Sequence, residues 1–227
     1  MIAENIKILE EKIALKCSLC KRDRSEIKLI AVSKTQPVEI IMEALNSSIK
    51  NLGENKAQEL RDKAELVNGD FIWHFIGHLQ TNKVKYVIKS AEYIHSVDSI
   101  KLADEINSKA KQIDKCQKIL LEINTSDEAT KFGLKEENEI LELADHCKNL
   151  SNVKLIGLMT MAPYTENEKV IRCSFAELRN KKEKLNSLGF NLTELSMGMT
   201  NDYEIAIEEG STMLRIGTAI FGERKYN

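Results

Sequence analysis

Short apolar segments alternate with longer amphipathic segments along most of the chain. The short segments are four to seven residues long, are rich in Ile, Leu, Val or aromatic residues, and are followed by a polar or glycine-containing step. Such bounded apolar runs are typical of buried β-strands. The predicted strands are residues 28–33, 49–53, 71–76, 93–97, 118–123, 153–159, 194–197 and 213–216.

The longer segments carry apolar residues at helical spacing. In residues 37–47, for example, Val38, Ile41 and Leu45 fall on one face, and Pro37 suits the first turn of a helix. The other predicted helices are residues 1–21, 99–112, 135–149, 167–188 and 201–209. Strands that alternate with helices form parallel sheets.

Eight strand–helix units within about 200 residues favour a closed barrel. We therefore predict an α/β fold consisting of one (β/α)8 TIM barrel domain over residues 1–227, with an extra N-terminal helix. An open, doubly wound sheet is the structural alternative. In a barrel, the chemistry is expected at the C-terminal ends of the strands, with any phosphate site after the last two.

Composition narrows the class of protein further. The chain has 33 basic and 35 acidic residues, a net charge of −2 and 42% hydrophobic residues, which indicates a globular protein without affinity for nucleic acid or anionic membranes. No apolar run approaches a membrane span, and the acidic start of the chain is unlike a signal peptide. Five cysteines suit a reduced compartment, so we expect a cytoplasmic protein.

Lys34 ends the first apolar run, in the segment LIAVSKTQP. A lysine at a strand end faces the barrel mouth, where partial desolvation lowers its pKa and raises the neutral fraction that a Schiff-base nucleophile needs. The alternative is a surface lysine that caps the strand.

The last two predicted strands end in SMGMT and RIGT, which together suggest an anion site. Gly198 and Gly217 allow close approach of backbone N–H groups, and Ser196 and Thr218 offer hydroxyl donors. Both turns precede short helical segments, whose N-termini favour negative charge. The alternative interpretation is a pair of tight turns without a ligand.

Arg215 and Asn55 also lie at strand ends. A guanidinium inside a strand end is costly unless it is paired, so Arg215 either forms an ion pair with a carboxylate such as Glu54 or donates to a ring nitrogen of a cofactor. Asn55 either bonds a ligand oxygen or caps the next helix. His74 and His78 do not have helical metal-ligand geometry, and no metal is expected.

The chain resembles the pyridoxal phosphate homeostasis proteins in six collinear segments between residues 28 and 224, which are LIAVSKTQP, NLGENKAQE, WHFIGHLQTNK, GLMTMAP, LSMGMTND and LRIGTAIFGER. The resemblance implies a barrel similar to the N-terminal domain of alanine racemase that holds pyridoxal 5′-phosphate (PLP) covalently. The cofactor-binding residues it implies are Lys34 for the aldehyde, Ser196, Gly217 and Thr218 for the phosphate, Arg215 for the ring nitrogen, and Asn55 near the ring. Lys56 departs from the aromatic residue of many members.

The resemblance also implies PLP buffering or delivery without catalysis. Racemisation on PLP needs a second acid or base on the ring face opposite the lysine, which alanine racemase takes from a Tyr of its C-terminal β-domain. Because this chain ends at Asn227, shortly after the last predicted strand, we expect no such domain. Arg215 would also weaken the ring as an electron sink.

Two enzyme functions remain as alternatives. The first is a small PLP-dependent amino-acid racemase that uses Tyr164, Tyr203 or His78 as the second acid or base. The second is a Schiff-base aldolase in which Ser196 and Thr218 bind a sugar phosphate. The expected partners are PLP and the apo forms of PLP-dependent enzymes, and the expected oligomeric state is a monomer.

Overall fold

Eight parallel strands close into a ring in chain order. Each strand is hydrogen-bonded to the next, and the last is hydrogen-bonded to the first. The structure is a computed structural model that describes residues 1–126 and 132–223. The strands are β1 (Lys28–Val32), β2 (Asn51–Glu54), β3 (Ile72–Phe75), β4 (Ala91–Val97), β5 (Gln117–Glu122), β6 (Val153–Met159), β7 (Glu194–Ser196) and β8 (Met213–Ile216). The predicted TIM barrel is confirmed, and the predicted strand bounds differ from these by at most two residues.

Helices follow the strands around the ring. They are α1 (Ile2–Leu19), α2 (Val38–Asn46), α3 (Ala57–Leu66), α4 (Val84–Val87), α5 (Ile100–Lys111), α6 (Glu137–Lys148), α7 (Glu168–Ser187), α8 (Tyr203–Glu208) and α9 (Thr218–Phe221), with 3-10 turns at Arg24–Glu26 and Thr81–Lys83. In the described ranges, no helix combines the length and the apolar character needed to cross a membrane.

The α3 helix was not predicted from the sequence. Its segment, AQELRDKAEL, consists half of charged residues, so it shows no broad apolar stripe. It forms nevertheless because its residues are strong helix formers, and it buries a narrow row consisting of Ala57, Leu60 and Lys63. The buried lysine in that row becomes important at the barrel mouth.

The core has two layers. An inner cluster fills the barrel with Ile30, Tyr93, Leu120, Ile156, Met159 and Met213. A larger outer cluster joins the strands to the helices and includes the fully buried Phe75 and Phe175. The barrel interior is not entirely apolar, since His74, His95 and Ser196 are also completely buried.

The predicted N-terminal helix packs against the helices that flank β8 and β1. One face of α1 buries Ile2, Ile6, Leu9 and Ile13, which recur every three or four residues and face the core. This helix contacts α2, α8 and α9, and Asn5 Nδ2 donates a 2.9 Å hydrogen bond to the carbonyl of Ile220. The helix therefore ties α9 to the first unit of the barrel.

Candidate functional site

The C-terminal ends of β1 and β8 lie side by side at the barrel mouth. Ala31 pairs with Ile216 across the two strands. A Cβ added to Gly217 would lie 3.6 Å from both the Cβ atom and the carbonyl oxygen of Val32, which precedes Lys34 by two residues. The turn that carries Lys34 and the predicted anion turn at Gly217 are therefore neighbours on one rim.

The backbone on both sides of Lys34 is anchored to α3. The N–H of Thr35 donates to Glu59 Oε1 at 2.6 Å, and the carbonyl of Ser33 accepts from Lys63 Nζ at 2.7 Å. Thr35 has a φ of 65°, which is unusual for a β-branched residue. The two hydrogen bonds to α3 hold this unfavourable turn in place and so position Lys34.

Lys63 is the centre of a buried ionic cluster. Its ammonium lies 2.7 Å from Glu54 Oε1 and 2.7 Å from Glu59 Oε1, and Ser33 Oγ donates to Glu54 Oε1 at 2.7 Å. Burial raises the pKa of the Glu54 carboxyl although Lys63 lowers it. Glu54 therefore pairs with Lys63, and the predicted alternative of an ion pair between Arg215 and Glu54 is wrong.

The turns after β7 and β8 are joined to each other. The N–H of Arg215 donates to the carbonyl of Gly198 at 2.9 Å, and the N–H of Ala219 donates to Thr200 Oγ1 at 3.3 Å. Gly198 has a φ of 98°, and a Cβ there would lie 2.6 Å from the Cβ of Ala206, so only glycine fits.

These turns contain one hydroxyl that the sequence analysis missed. Thr200 lies beside the start of α9, which begins at Thr218. The sequence could have identified Thr200, because it is the last residue of the SMGMT segment from which we selected Ser196.

Arg215 is 4% exposed and points into the barrel mouth from β8. Its Nη1 donates to Ser196 Oγ at 2.6 Å, and its Nη2 donates to the carbonyl of Thr160 at 2.8 Å. Burial lowers the pKa of the guanidinium to about 10, although Asp202 and Glu122 raise it. Arg215 therefore remains a cation at neutral pH.

Ser196 lies deeper than the sequence analysis assumed. Its hydroxyl is fully buried, accepts from Arg215, and lies 2.8 Å from His95 Nδ1. The phosphate contact that we expected from Ser196 stays a prediction, since this hydroxyl is already engaged by two side chains inside the barrel.

Asn55 follows β2 at the rim. The N-cap of α3 is Lys56, and it makes no side-chain capping bond, so the alternative of Asn55 as a helix cap is not realised. Asn55 Oδ1 is buried and has no hydrogen-bond partner among the described residues. An unsatisfied buried acceptor suits contact with a ligand.

Glu122 is a further rim residue that the sequence analysis missed. It ends β5, which lies four strands from β1 in the ring and therefore on the opposite side of the mouth. Its Oε2 is buried without a hydrogen-bond partner in the described ranges. Burial and Asp98 raise the pKa of this carboxyl to about 7, although Arg215 lowers it. The sequence feature that could have identified Glu122 is an acidic residue inside the apolar run KILLEI.

The two histidines near β3, His74 and His78, lie in different surroundings. His74 points into the barrel and contacts His95, whereas His78 stacks on Phe132 and lies 3.8 Å from Asp98. Residues 1–126 and 132–223 contain no group of three side chains that could hold a metal ion.

Beside the rim, a cavity of about 530 Å³ opens between α3 and the segment that follows β3. Its lining includes Asn55, Lys63 and His78. The anchored lysine turn, the joined glycine turns and the buried arginine therefore lie at the barrel mouth, with this recess beside them.

Comparison with known proteins assigns the chain to a class and then to a family. The family described as "Alanine racemase, N-terminal domain" matches residues 3–225, which defines the class of barrel. A pyridoxal phosphate homeostasis protein of Aquifex aeolicus is 44% identical over 98% of this chain and 98% of its own length. The chain belongs to the pyridoxal phosphate homeostasis protein family, as the resemblance of its six segments indicated.

Two solved structures are similar over nearly the whole chain. PipY of Synechococcus elongatus PCC7942, solved with PLP bound, has a TM-score of 0.85 and 31% identity, covering 98% of this chain and 100% of PipY. A protein of unknown function from Bifidobacterium adolescentis has a TM-score of 0.90 and 34% identity, covering 96% of this chain and 94% of its own.

Proposed function

We propose that this protein binds PLP at the barrel mouth as a Schiff base on Lys34 and serves intracellular PLP homeostasis without catalytic turnover. The observation that carries the proposal is the contact between the ends of β1 and β8, where Gly217 lies against Val32 beside the Lys34 turn. An amine and a glycine turn on one rim suit a small molecule with an aldehyde at one end and a phosphate at the other. The pyridoxal phosphate homeostasis protein of Aquifex aeolicus and the PLP-bound PipY support the same ligand.

The residues of the rim fit the chemical groups of PLP. When bound, PLP supplies an aldehyde that condenses reversibly with amines. The backbone N–H groups of the turn at Gly217 and Thr218 suit its phosphate, with Thr200 beside them. The Arg215 guanidinium suits its ring nitrogen, and the unsatisfied Asn55 Oδ1 suits a polar group at the ring edge.

The proposal is tested by reducing the PLP-loaded protein with borohydride and locating the labelled lysine by mass spectrometry. We expect the label on Lys34 and its loss in Lys34→Ala. Lys56→Ala is the matched control, because Lys56 is an exposed lysine at the neighbouring strand end, and it should keep the label on Lys34. Labelling of another lysine in the wild type, or an unchanged yield in Lys34→Ala, would contradict the assignment.

The proposal that there is no turnover rests on where the candidates for a second acid or base lie, since racemisation requires such a group. Among the three candidates, Tyr164 is 95% exposed, and the Tyr203 hydroxyl is turned to Glu204 at 3.3 Å. His78 is packed against Phe132. In addition, the permanently charged Arg215 favours an unprotonated ring nitrogen, which weakens the electron sink that racemases depend on.

Exchange of the amino-acid α-proton decides between a carrier and a racemase. PLP-loaded protein is incubated with L-alanine in D2O, and deuterium incorporation and inversion are followed by NMR and chiral chromatography. We expect rates no higher than those of free PLP. Rapid exchange with inversion would overturn the non-catalytic role and favour the racemase.

In the proposed homeostatic role, the protein is a cytoplasmic monomer that transfers PLP to apo-enzymes. The transfer is measured as the reactivation of an apo aminotransferase by PLP-loaded protein, compared with an equal amount of free PLP. We expect full reactivation, and retention of the cofactor under excess apo-enzyme would contradict delivery. Sedimentation of the same sample measures the oligomeric state.

A further inference from the structure

A hydrogen-bonded chain of neutral side chains extends from Arg215 down through the barrel interior. We propose that this chain, which passes through Ser196, His95 and His74 to Asn51, orients the Arg215 guanidinium toward the cofactor ring. The inference rests on the proposed PLP site. It makes Ser196, His95 and His74 positioning residues that act on the cofactor through Arg215, and for Ser196 this role replaces the phosphate contact predicted from the sequence.

The chain is continuous and almost completely shielded from water. Arg215 Nη1 lies 2.6 Å from Ser196 Oγ, which lies 2.8 Å from His95 Nδ1. His95 Nε2 lies 3.0 Å from His74 Nδ1, and His74 Nε2 lies 3.1 Å from Asn51 Oδ1. Ser196, His95 and His74 have no exposed surface. Each of these polar groups therefore depends on its neighbour in the chain.

The two ends of the chain together set the direction of every bond in it. A guanidinium can only donate, so Ser196 Oγ accepts from Arg215. At the other end Asn51 Oδ1 can only accept, and because both rings are neutral, the Ser196 hydroxyl donates its own proton to His95 Nδ1. His95 then carries its proton on Nε2 and donates to His74 Nδ1. His74 likewise carries its proton on Nε2 and donates to Asn51 Oδ1. The carboxamide oxygen is a proper terminal acceptor.

Both histidines are neutral, as this direction requires. Burial is the main cause that lowers the pKa of His74 to about 3, and the cations of Lys28 and Lys118 lower it further. Burial also lowers the pKa of His95 far below its usual range, assisted by His74, Arg215 and Lys28. Tyr93 stacks on His74 at a centroid distance of 4.5 Å and fixes the plane of that ring.

A neutral chain orients Arg215 without cancelling its charge. The charged groups that act on Arg215 are Asp202 and Glu122, and neither forms an ion pair with it among the described residues. Nη1 and Nη2 are both committed, and Nε makes no hydrogen bond within residues 1–126 and 132–223. The remaining donors of a fixed cationic plane are thus available to a ring nitrogen that stays unprotonated.

The tautomers are tested in the protein without cofactor. Nitrogen-15 NMR of the histidine rings should show His74 and His95 as neutral Nε2–H tautomers that do not titrate between pH 5 and pH 8. The half-buried His146 on α6, which is bonded to Asp104, provides the reference signal. An Nδ1–H tautomer or a titrating ring at either position would overturn the chain. This result does not depend on whether PLP binds.

The effect on the cofactor is tested with Ser196→Ala, His95→Leu and His95→Gln, for both PLP and pyridoxal. Loss of one link should weaken both ligands about tenfold and shift the visible absorption band in Ser196→Ala and His95→Leu. His95→Gln should restore most of the wild-type affinity and spectrum, because its carboxamide can accept from Ser196 and donate to His74. His146→Leu and His146→Gln are the matched surface controls and should behave as wild type.

The possible outcomes separate the two proposals. If Ser196→Ala weakens PLP but leaves pyridoxal binding and the spectrum unchanged, Ser196 contacts the phosphate and the positioning role is overturned. A wild-type spectrum in His95→Leu also overturns it. If His95→Leu does not fold, Ser196→Ala and the rescue by His95→Gln decide. Failure of the wild-type protein to bind PLP, with the predicted tautomers intact, refutes the proposed function instead.

Discussion

The Lys34 turn is held from outside the barrel by charged groups, whereas Arg215 is held from inside it by neutral ones. The outer cluster gathers one ammonium, Lys63, among two carboxylates and a backbone carbonyl. The inner chain links hydroxyl, imidazole and carboxamide groups in single file. Both regions are buried, but the outer cluster consists of charged side chains and the inner chain consists of neutral ones.

The difference matches what the proposed function requires of Lys34 and Arg215. The Lys34 amine would act as a nucleophile in its neutral form, so its backbone turn needs a fixed position, which the charged cluster around Lys63 supplies without a preferred direction. A guanidinium is planar, and the angle of its plane decides where its N–H groups point. Hydrogen bonds in single file supply that direction. Because the two regions share no residue, each can be disrupted separately.

The largest effect is expected from Lys63→Met. This variant leaves Glu54 without its cation inside the protein and removes the donor to the carbonyl of Ser33. Removing one partner of a buried ion pair costs about 3–5 kcal/mol. The free energy of unfolding, measured by urea denaturation, should fall by this amount, and borohydride labelling of Lys34 should decrease.

Two comparisons sharpen this result. Lys109→Met removes a partly exposed i,i+4 pair with Glu105 on α5 and should cost no more than about 0.5 kcal/mol. Adding Glu54→Gln to Lys63→Met should recover part of the loss, since the orphaned charge disappears. A Lys63→Met protein as stable as the wild type would show that the cluster does not support the turn.

An intermediate effect concerns acid stability. The pKa of His74 is about 3 in the folded protein and about 6.5 when unfolded, so the unfolded state binds more protons below pH 6.5. The stability that the protein gains by keeping His74 neutral is therefore fully present above pH 6.5 and is lost as the pH falls below it. His95 behaves in the same direction. The His74 ring should cost about 2 kcal/mol of stability at pH 5, and His95 adds to this loss.

His95→Gln isolates one of these contributions. Between pH 7 and pH 5, this variant should lose less stability than the wild type, as measured by urea denaturation at each pH. His146→Gln makes the same change on the surface of α6 and separates the effect of burial from the loss of an imidazole. Identical pH profiles for the wild type and His95→Gln would contradict the buried neutral chain.

The smallest effect is expected from Thr35→Gly. Glycine adopts the φ of 65° without strain but loses more entropy on folding, so stability should change by less than about 1 kcal/mol. Labelling of Lys34 should stay at the wild-type level, because the backbone N–H that donates to Glu59 is kept. Ser48→Gly, at a φ of 80° on the far side of α2, is the control for stability. Loss of labelling in Thr35→Gly alone would mean that the threonine side chain, and not the backbone anchor, positions Lys34.

Local pattern was enough to predict most of the fold and to select part of the candidate site. Each strand is an apolar run of its own, and Lys34, Arg215 and Gly217 were found because they stand at the ends of such runs. The α3 helix was missed because half of its residues are charged, and with it the cluster around Lys63. A lysine in a polar segment gives no local sign that it will be buried.

The sequence by itself determined the order of strands and helices, the family and the candidate amine and anion turns, because hydrophobic periodicity and turn residues act over a few neighbours along the chain. Only the tertiary structure decided which polar residues meet. Ser196 and His95 are 101 positions apart, and they come within 2.8 Å because the closed barrel turns both side chains inward. Such contacts depend on strand register and barrel closure, which are properties of the whole ring and not of any one segment.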